Sequence, residues 1–291
     1  MMRSTLIAAL VSAALPTMAL AQTEDELKND EKTPGDVLTY GMGYSQNRFS
    51  PLTQINRDNV KRLVPAWSYS MADNRGQEAQ ALVKDGIIYL TDHEKTVALD
   101  ALSGKQIWKS VIEYPPDTTR VVCCGIVNRG AAMFDGKLYR TTLDAYVIAL
   151  DLKTGKEIWR TKSADPKDGY SMTGAPLVAN GVVIAGVAGA EFGHRGYLEG
   201  FDPQTGKSLW RTYTIPAKGE PGSETWPGDA ASHGGGSTWI TGSYDPELAS
   251  YSGGPATPRH GTRSIAWAIT FTPTRSSPFN PRPARWSGTI R

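Results

Sequence analysis

A twelve-residue segment recurs three times at a fixed interval, and a chain with such a period folds as a stack of like units. The copies are Ala98-Leu-Asp-Ala-Leu-Ser-Gly-Lys-Gln-Ile-Trp108-Lys109, Ala149-Leu-Asp-Leu-Lys-Thr-Gly-Lys-Glu-Ile-Trp159-Arg160 and Gly200-Phe-Asp-Pro-Gln-Thr-Gly-Lys-Ser-Leu-Trp210-Arg211. They align without gaps, and their tryptophans stand 51 residues apart both times. Each reads as a strand ending in Asp, a Ser/Thr-Gly turn and a strand closing on Trp. The Gly supplies the positive φ of the turn, and alternating apolar residues give the period of half-buried strands.

Further short strands flank Gly turns between the copies, at Ala81–Leu90, Ala132–Tyr139 and Leu177–Ile184. Two hairpins per unit make a four-stranded blade, and stacked blades make a β-propeller. The fold class is therefore all-β. Between Trp67 and Leu248 there is room for about four blades, and closed propellers have four to eight. The repeat tryptophans are expected to pack between blades, a structural role, and Trp67 to close the first strand set. The chain carries no Walker loop, no G-x-G-x-x-G turn after a strand, no G-x-S-x-G elbow and no H-E-x-x-H helix. It also lacks Cys-x-x-Cys-His, so it carries no c-type haem of its own. Its four histidines, His93, His194, His233 and His260, are scattered.

Repeats specify blades only, so the chemistry must lie between them. The only two cysteines, Cys123 and Cys124, are adjacent. Neighbouring Cα atoms are about 3.8 Å apart, below the usual disulfide range, and a bond between them would staple no loop. Two reduced core thiols, half of a metal site and a strained adjacent disulfide are the three readings, and metal spacing is normally Cys-x₂-Cys. Compartment bears on the choice. Met1-Met2-Arg3, an apolar run from Leu6 to Leu20, and Ala19-Leu20-Ala21 before Gln22 make the pattern of a secretory signal peptide. Cleavage near Gln22 and export to an oxidising compartment are expected, with no membrane span in the rest of the chain.

Charge divides the chain again further on. Residues 22–248 hold all 29 acidic residues and 24 of the 31 Lys and Arg, a net −5. Residues 249–291 hold six Arg, six Pro and no Lys, Asp or Glu, a net +6. Such a segment suits a basic arm for nucleic acid or anionic lipid, but its Trp and Phe residues recur at no regular spacing. No nucleic-acid partner is assigned. The expected division is a signal peptide at 1–21, the propeller part at 22–248, and a foreign, disordered tail at 249–291.

Several segments between the blades carry polar or small residues in order: Gln77-Glu78-Ala79-Gln80, Cys123-Cys124-Gly-Ile-Val-Asn128-Arg129-Gly130, Thr141-Thr-Leu-Asp144, Gly174-Ala-Pro176, Gly189-Ala190-Glu191-Phe-Gly-His-Arg195-Gly196, Thr225-Trp226-Pro-Gly-Asp229 and Gly234-Gly-Gly-Ser-Thr238-Trp239. Over about residues 35–248 this pattern resembles the pyrroloquinoline-quinone-dependent alcohol dehydrogenases, the methanol/ethanol family. The resemblance implies an eight-bladed propeller with the quinone sandwiched on its axis. A Cys123–Cys124 disulfide ring would cover one face, and Trp239, with Thr238 beside it, the other. Glu78, Arg129 and Thr141 would hydrogen-bond the quinone, a forked guanidinium suiting a planar polyanion. Gly189 and Ala190 would leave room for it. Glu191 would ligate Ca²⁺, or equally a lanthanide, that polarises the reactive carbonyl. Ala188 departs from a serine common in the family.

The implied activity is periplasmic oxidation of primary alcohols to aldehydes, with cytochrome c or a similar protein as electron acceptor and room for a homodimer. The family's Asp base and Asn metal ligand lie downstream of Gly-Gly-Gly-x-x-Trp, whereas this chain has no carboxylate after Glu247. The change after Leu248 reads as a frame shift near Ala249 with early termination. No catalytic base is assigned, and the 291-residue chain is expected to be inactive. A rival reading is a non-catalytic exported propeller that binds proteins, since such scaffolds have similar Asp-x-x-Thr-Gly-x-x-x-Trp repeats. Cys123-Cys124 with Arg129 and Glu191 separates the two, because a scaffold has no use for them.

Overall fold

The computed structural model describes residues 22–122, 125–253, 256–258 and 268–270. The expected signal peptide, Cys123 and Cys124, and the rest of the tail lie outside the described residues. Three four-stranded antiparallel sheets follow one another along the chain. The first runs in the order β1 (Leu82–Lys84), β2 (Ile87–Thr91), β3 (Lys95–Asp100), β4 (Gln106–Val111). The second runs β5 (Ala131–Phe134), β6 (Lys137–Thr141), β7 (Tyr146–Asp151), β8 (Glu157–Lys162). The third contains β9 (Leu177–Ala179), β10 (Val182–Gly186), β11 (Tyr197–Phe201) and β12 (Ser208–Tyr213). These are the up-and-down blades that the repeat predicts.

The repeated turn explains itself chemically. In each copy the Asp Oδ1 accepts hydrogen bonds from the backbone N–H and hydroxyl of the Ser or Thr three residues on, as Asp151 does from Thr154 at 2.8 and 2.7 Å. The Gly after it takes positive φ, +68° to +71° across Gly104, Gly155 and Gly206. Each of these glycines faces the tryptophan of the preceding unit. A Cβ on Gly155 would stand 2.4 Å from the Trp108 ring. The Trp108 indole N–H donates to the Leu152 carbonyl at 3.1 Å, and Trp159 donates to Pro203 at 3.0 Å. Trp67, which lies outside any strand, makes the same bond to Ala101 at 3.1 Å. The tryptophans therefore dock each unit on the next, and one buried core runs through all three blades.

After Trp210 the pattern loosens. β13 (Gly235–Ser237) pairs with β16 (Ala256–Pro258), while β14 (Ser243–Asp245), β15 (Ser250–Ser252) and β17 (Ala268–Thr270) form a three-stranded sheet. Strand pairing thus continues past Ala249, where the sequence predicts disorder. The physical reason is Tyr251, which lies opposite Tyr244 and is buried, with its hydroxyl accepting from the Gly242 N–H at 3.0 Å. A buried aromatic at the centre of a short strand holds it where charge composition alone argues for coil. Among the described residues no helix is long and apolar enough to cross a membrane.

Candidate functional site

The loops at one end of the blades bring most of the singled-out residues together. Arg129 follows the loop that enters β5, and its backbone N–H donates to Thr173 at 2.9 Å. Its guanidinium makes three contacts at once. Nη1 donates to Thr173 Oγ1 at 2.7 Å, Nη2 pairs with Glu78 Oε2 at 2.9 Å, and the group lies over the Trp239 ring, 4.4 Å from its centroid. Glu78 is half exposed, so the pair contributes little to stability by itself. Its value is positional: it aims the guanidinium.

Trp239 reaches this point because the chain after β12 crosses the ends of the third blade. Gly174 permits the crossing, since a Cβ there would stand 2.3 Å from the Trp239 carbonyl. Each residue before Trp239 is tied down in turn. The Thr238 N–H donates to the Val187 carbonyl at 2.8 Å, and its hydroxyl donates to the Tyr197 carbonyl while accepting from the Val187 N–H. Ser237 Oγ accepts from the Ala190 N–H at 2.9 Å. The Gly235–Trp239 segment is therefore a strap joining the Glu191 loop to Arg129.

Several expected contacts are spent inside the protein. Thr141 is buried, and its hydroxyl donates to the Gly174 carbonyl at 2.7 Å. Its proton is committed, so only its lone pairs remain for a ligand. Gly189, at φ +106°, makes room for the Gly169 carbonyl rather than for open space. Ala190 is buried beneath the strap. Glu191 is exposed on a short 3₁₀ turn, Ala190–Phe192. Among the described residues, the one group of three or more ligating side chains close enough to share an ion lies elsewhere and omits Glu191. Thr173 escaped the sequence reading. Its position just before Gly174-Ala-Pro176 was the available signal. Asn128 also serves here, accepting from Thr91 Oγ1 at 2.6 Å and from Gly130 N–H at 3.0 Å.

His194 backs the Glu191 loop. It stacks on Tyr170 at 3.8 Å and its Nε2 lies 3.2 Å from the Ala188 carbonyl. Burial pushes the pKa of its imidazole down.

A half-buried aromatic face carrying a planar cation, with a hydroxyl and a carboxylate at its edge, lies at one end of the blades. Comparison with known proteins identifies the family. Residues 38–250 match the family described as glucose/ethanol/alcohol dehydrogenase, beta-propeller domain. The chain belongs to this family of quinone-dependent dehydrogenases. It is 42% identical over 277 residues to 1-butanol dehydrogenase (quinone) of Thauera butanivorans, covering 84% of this chain and 44% of that one. It is also 42% identical over 270 residues to quinoprotein ethanol dehydrogenase of Pseudomonas aeruginosa, covering 82% and 43%. A europium-containing methanol dehydrogenase superposes with a TM-score of 0.76 at 38% identity, over 80% of this chain and 44% of that chain. The chain spans less than half the length of these relatives. The β-propeller expectation holds, and the protein-binding scaffold reading is not favoured.

Proposed function

We propose that this chain supplies one half of a pyrroloquinoline quinone site in an exported alcohol dehydrogenase. The observation that carries the proposal is Arg129 lying over Trp239. A ring face that accepts a planar guanidinium at 4.4 Å can accept a planar quinone, and the guanidinium can turn to its carboxylates. Trp239 then provides the stacking floor. Arg129, held by Thr173 and steered by Glu78, provides charge and forked donors. The family resemblance assigns the opposite face to a disulfide between Cys123 and Cys124, which lie outside the described residues. Thr141, Gly189, Ala190 and Thr238 shape the wall, with Thr141 offering an acceptor.

The bound quinone supplies the two-electron acceptor for alcohol oxidation. Glu191 is the one carboxylate proposed for Ca²⁺, or a lanthanide, and its exposure leaves it free to accept an ion. By the family resemblance, its companion ligand and the base that takes the alcohol proton lie downstream of a Gly-Gly-Gly-x-x-Trp segment. Primary alcohol as substrate, a periplasmic location after removal of residues 1–21, and a cytochrome-type electron acceptor complete the proposal. Names of relatives support the substrate class: butanol and ethanol for two of them.

A hybrid tests this reading. Residues 1–248 joined to the matching C-terminal part of the Thauera butanivorans enzyme should reduce an artificial acceptor only with primary alcohol, quinone and Ca²⁺ present. The same hybrid with Arg129→Ala should lose that activity. A folded, quinone-loaded hybrid that oxidises no alcohol would overturn the proposal.

A further inference from the structure

The turn between β2 and β3 presents a buried imidazole that the quinone site does not use. His93 is 2% exposed, and its Nε2 is buried and makes no hydrogen bond. Two carboxylates face that nitrogen, Glu94 Oε1 at 3.3 Å and Asp73 Oδ2 at 3.7 Å. One ligand atom from each of the three residues lies within 4.8 Å of the other two. We propose that Asp73, His93 and Glu94 bind a single divalent transition ion of the Zn²⁺ class.

The scaffold of this site is rigid. Arg140 is fully buried and, among the described residues, pairs with no carboxylate. Its Nη2 donates to the carbonyls of Asp92 at 2.7 Å and His93 at 2.9 Å, and its Nη1 to that of Lys95 at 2.8 Å. The Tyr114 hydroxyl donates to the His93 carbonyl at 2.7 Å. Asp92 Oδ1 accepts from the Glu94 N–H at 2.8 Å. The backbone that carries two of the three ligands is therefore set before any ion arrives, as a strong site requires.

The donor set selects the ion. One imidazole nitrogen and two carboxylate oxygens match a borderline ion with a fourth position left for water. Ca²⁺ and Mg²⁺ ask for more oxygens and would leave the imidazole idle. Arg75 is the competitor. Its Nε and Nη2 fork Asp73 at 2.9 and 2.6 Å, and Nη2 stands 3.6 Å from Glu94 Oε1. The Arg75 side chain is 45% exposed, so it can swing into solvent and yield Asp73 to the ion. Ion and guanidinium are alternative occupants of one pair of carboxylates.

Titration of the chelator-treated, quinone-free full chain with Co²⁺ alone, then Zn²⁺, tests the site. One equivalent of Co²⁺ should give visible absorption that Zn²⁺ abolishes. Arg75→Gln should raise Co²⁺ affinity about tenfold by removing the competing charge. His93→Gln should erase the absorption, and Glu94→Gln should weaken binding about tenfold. His93 is buried and its replacement can unfold the blade, whereas Glu94 is partly exposed and reads the same site. Absence of stoichiometric binding in both the parent and Arg75→Gln would overturn the proposal. So would an ion whose absorption is indifferent to Glu94→Gln and His93→Gln. Quinone plays no part in the titration, so the result stands whatever becomes of the quinone reading.

Discussion

Arg129 lies over the Trp239 ring, with the guanidinium carbon 4.4 Å from the ring centroid, although one opens the second blade and the other follows the third. The contact exists because Gly174 lets the later segment cross the third blade closely, and because Thr173, next to it, grips the arginine. Stacking, forked donation and a carboxylate partner all converge on one planar cation.

Arg129→Lys should therefore weaken quinone binding although the charge is kept. A lysine ammonium is a point donor that neither stacks flat nor forks. A rise in Kd of about tenfold to a hundredfold is expected, read by equilibrium dialysis of the purified chain, corresponding to about 1.4–2.8 kcal/mol. Glu78→Gln, on a half-exposed side chain, should change Kd by less than about fivefold, in keeping with a solvent-screened pair.

Trp108→Phe should lower stability by about 1 kcal/mol through the lost bond to Leu152, and Trp108→Ala by about 3–5 kcal/mol through the cavity as well. Gly155→Ala should cost about 1–3 kcal/mol, since it strains a positive φ and drives a Cβ into the Trp108 ring. Denaturant midpoints at equal slope check all three. An unchanged midpoint in Trp108→Ala would mean that the ring does not dock the blades.

Arg140→Met should destabilise by about 3–5 kcal/mol, because the Asp92 and Lys95 carbonyls lose their guanidinium donor inside the core and the His93 carbonyl keeps only the Tyr114 hydroxyl as a side-chain donor. Burial, with the Arg160 charge acting in the same direction, pushes the Arg140 pKa down, and the carbonyl cage holds the guanidinium in place. Comparison with Arg140→Lys, which restores a charge but not five donors, separates cage from charge. Full rescue by lysine would contradict the caging role.

Stability should fall on the acid side of neutrality. Burial keeps the His194 pKa below its ordinary 6.5, so between that value and the lower folded one the unfolded chain binds a proton that the folded chain refuses. Stability then rises with pH through this window and is lost as pH drops below about 6.5. His194→Asn should lower Tm at pH 7.5 by removing the stack on Tyr170, yet show a smaller further drop at pH 5. Equal drops in both proteins would show that His194 is not the group responsible.

The blades were legible because their signal is local and periodic: Asp151, Thr154, Gly155 and Trp159 lie within one unit, and the unit repeats. Trp67 lies in no strand and stands 34 residues before its partner rather than 44, yet Ala101, like Leu152 for Trp108, is the residue just after the repeat Asp. The candidate site was legible as a set of residues but not as a geometry. Thr141 hydrogen-bonds Gly174, Thr238 hydrogen-bonds Tyr197, and Ala190 hydrogen-bonds Ser237. Such partners depend on where distant loops cross, which no local pattern encodes. Arg140 illustrates the converse, since nothing between Tyr139 and Thr141 marks a guanidinium destined for full burial. The strand at Tyr251 was hidden by composition, because one buried aromatic outweighed the surrounding Pro and Arg.

Quinone binding by the purified chain, measured in Ca²⁺ by equilibrium dialysis, tests the central claim most directly. The arrangement of Arg129 on Trp239 predicts saturable binding of one quinone per chain, weakened about fivefold or more by Trp239→Ala, whose lost stacking alone is worth about 1 kcal/mol or more. Binding of equal strength in the chain and in Trp239→Ala, or no saturable binding to a folded chain, would contradict it.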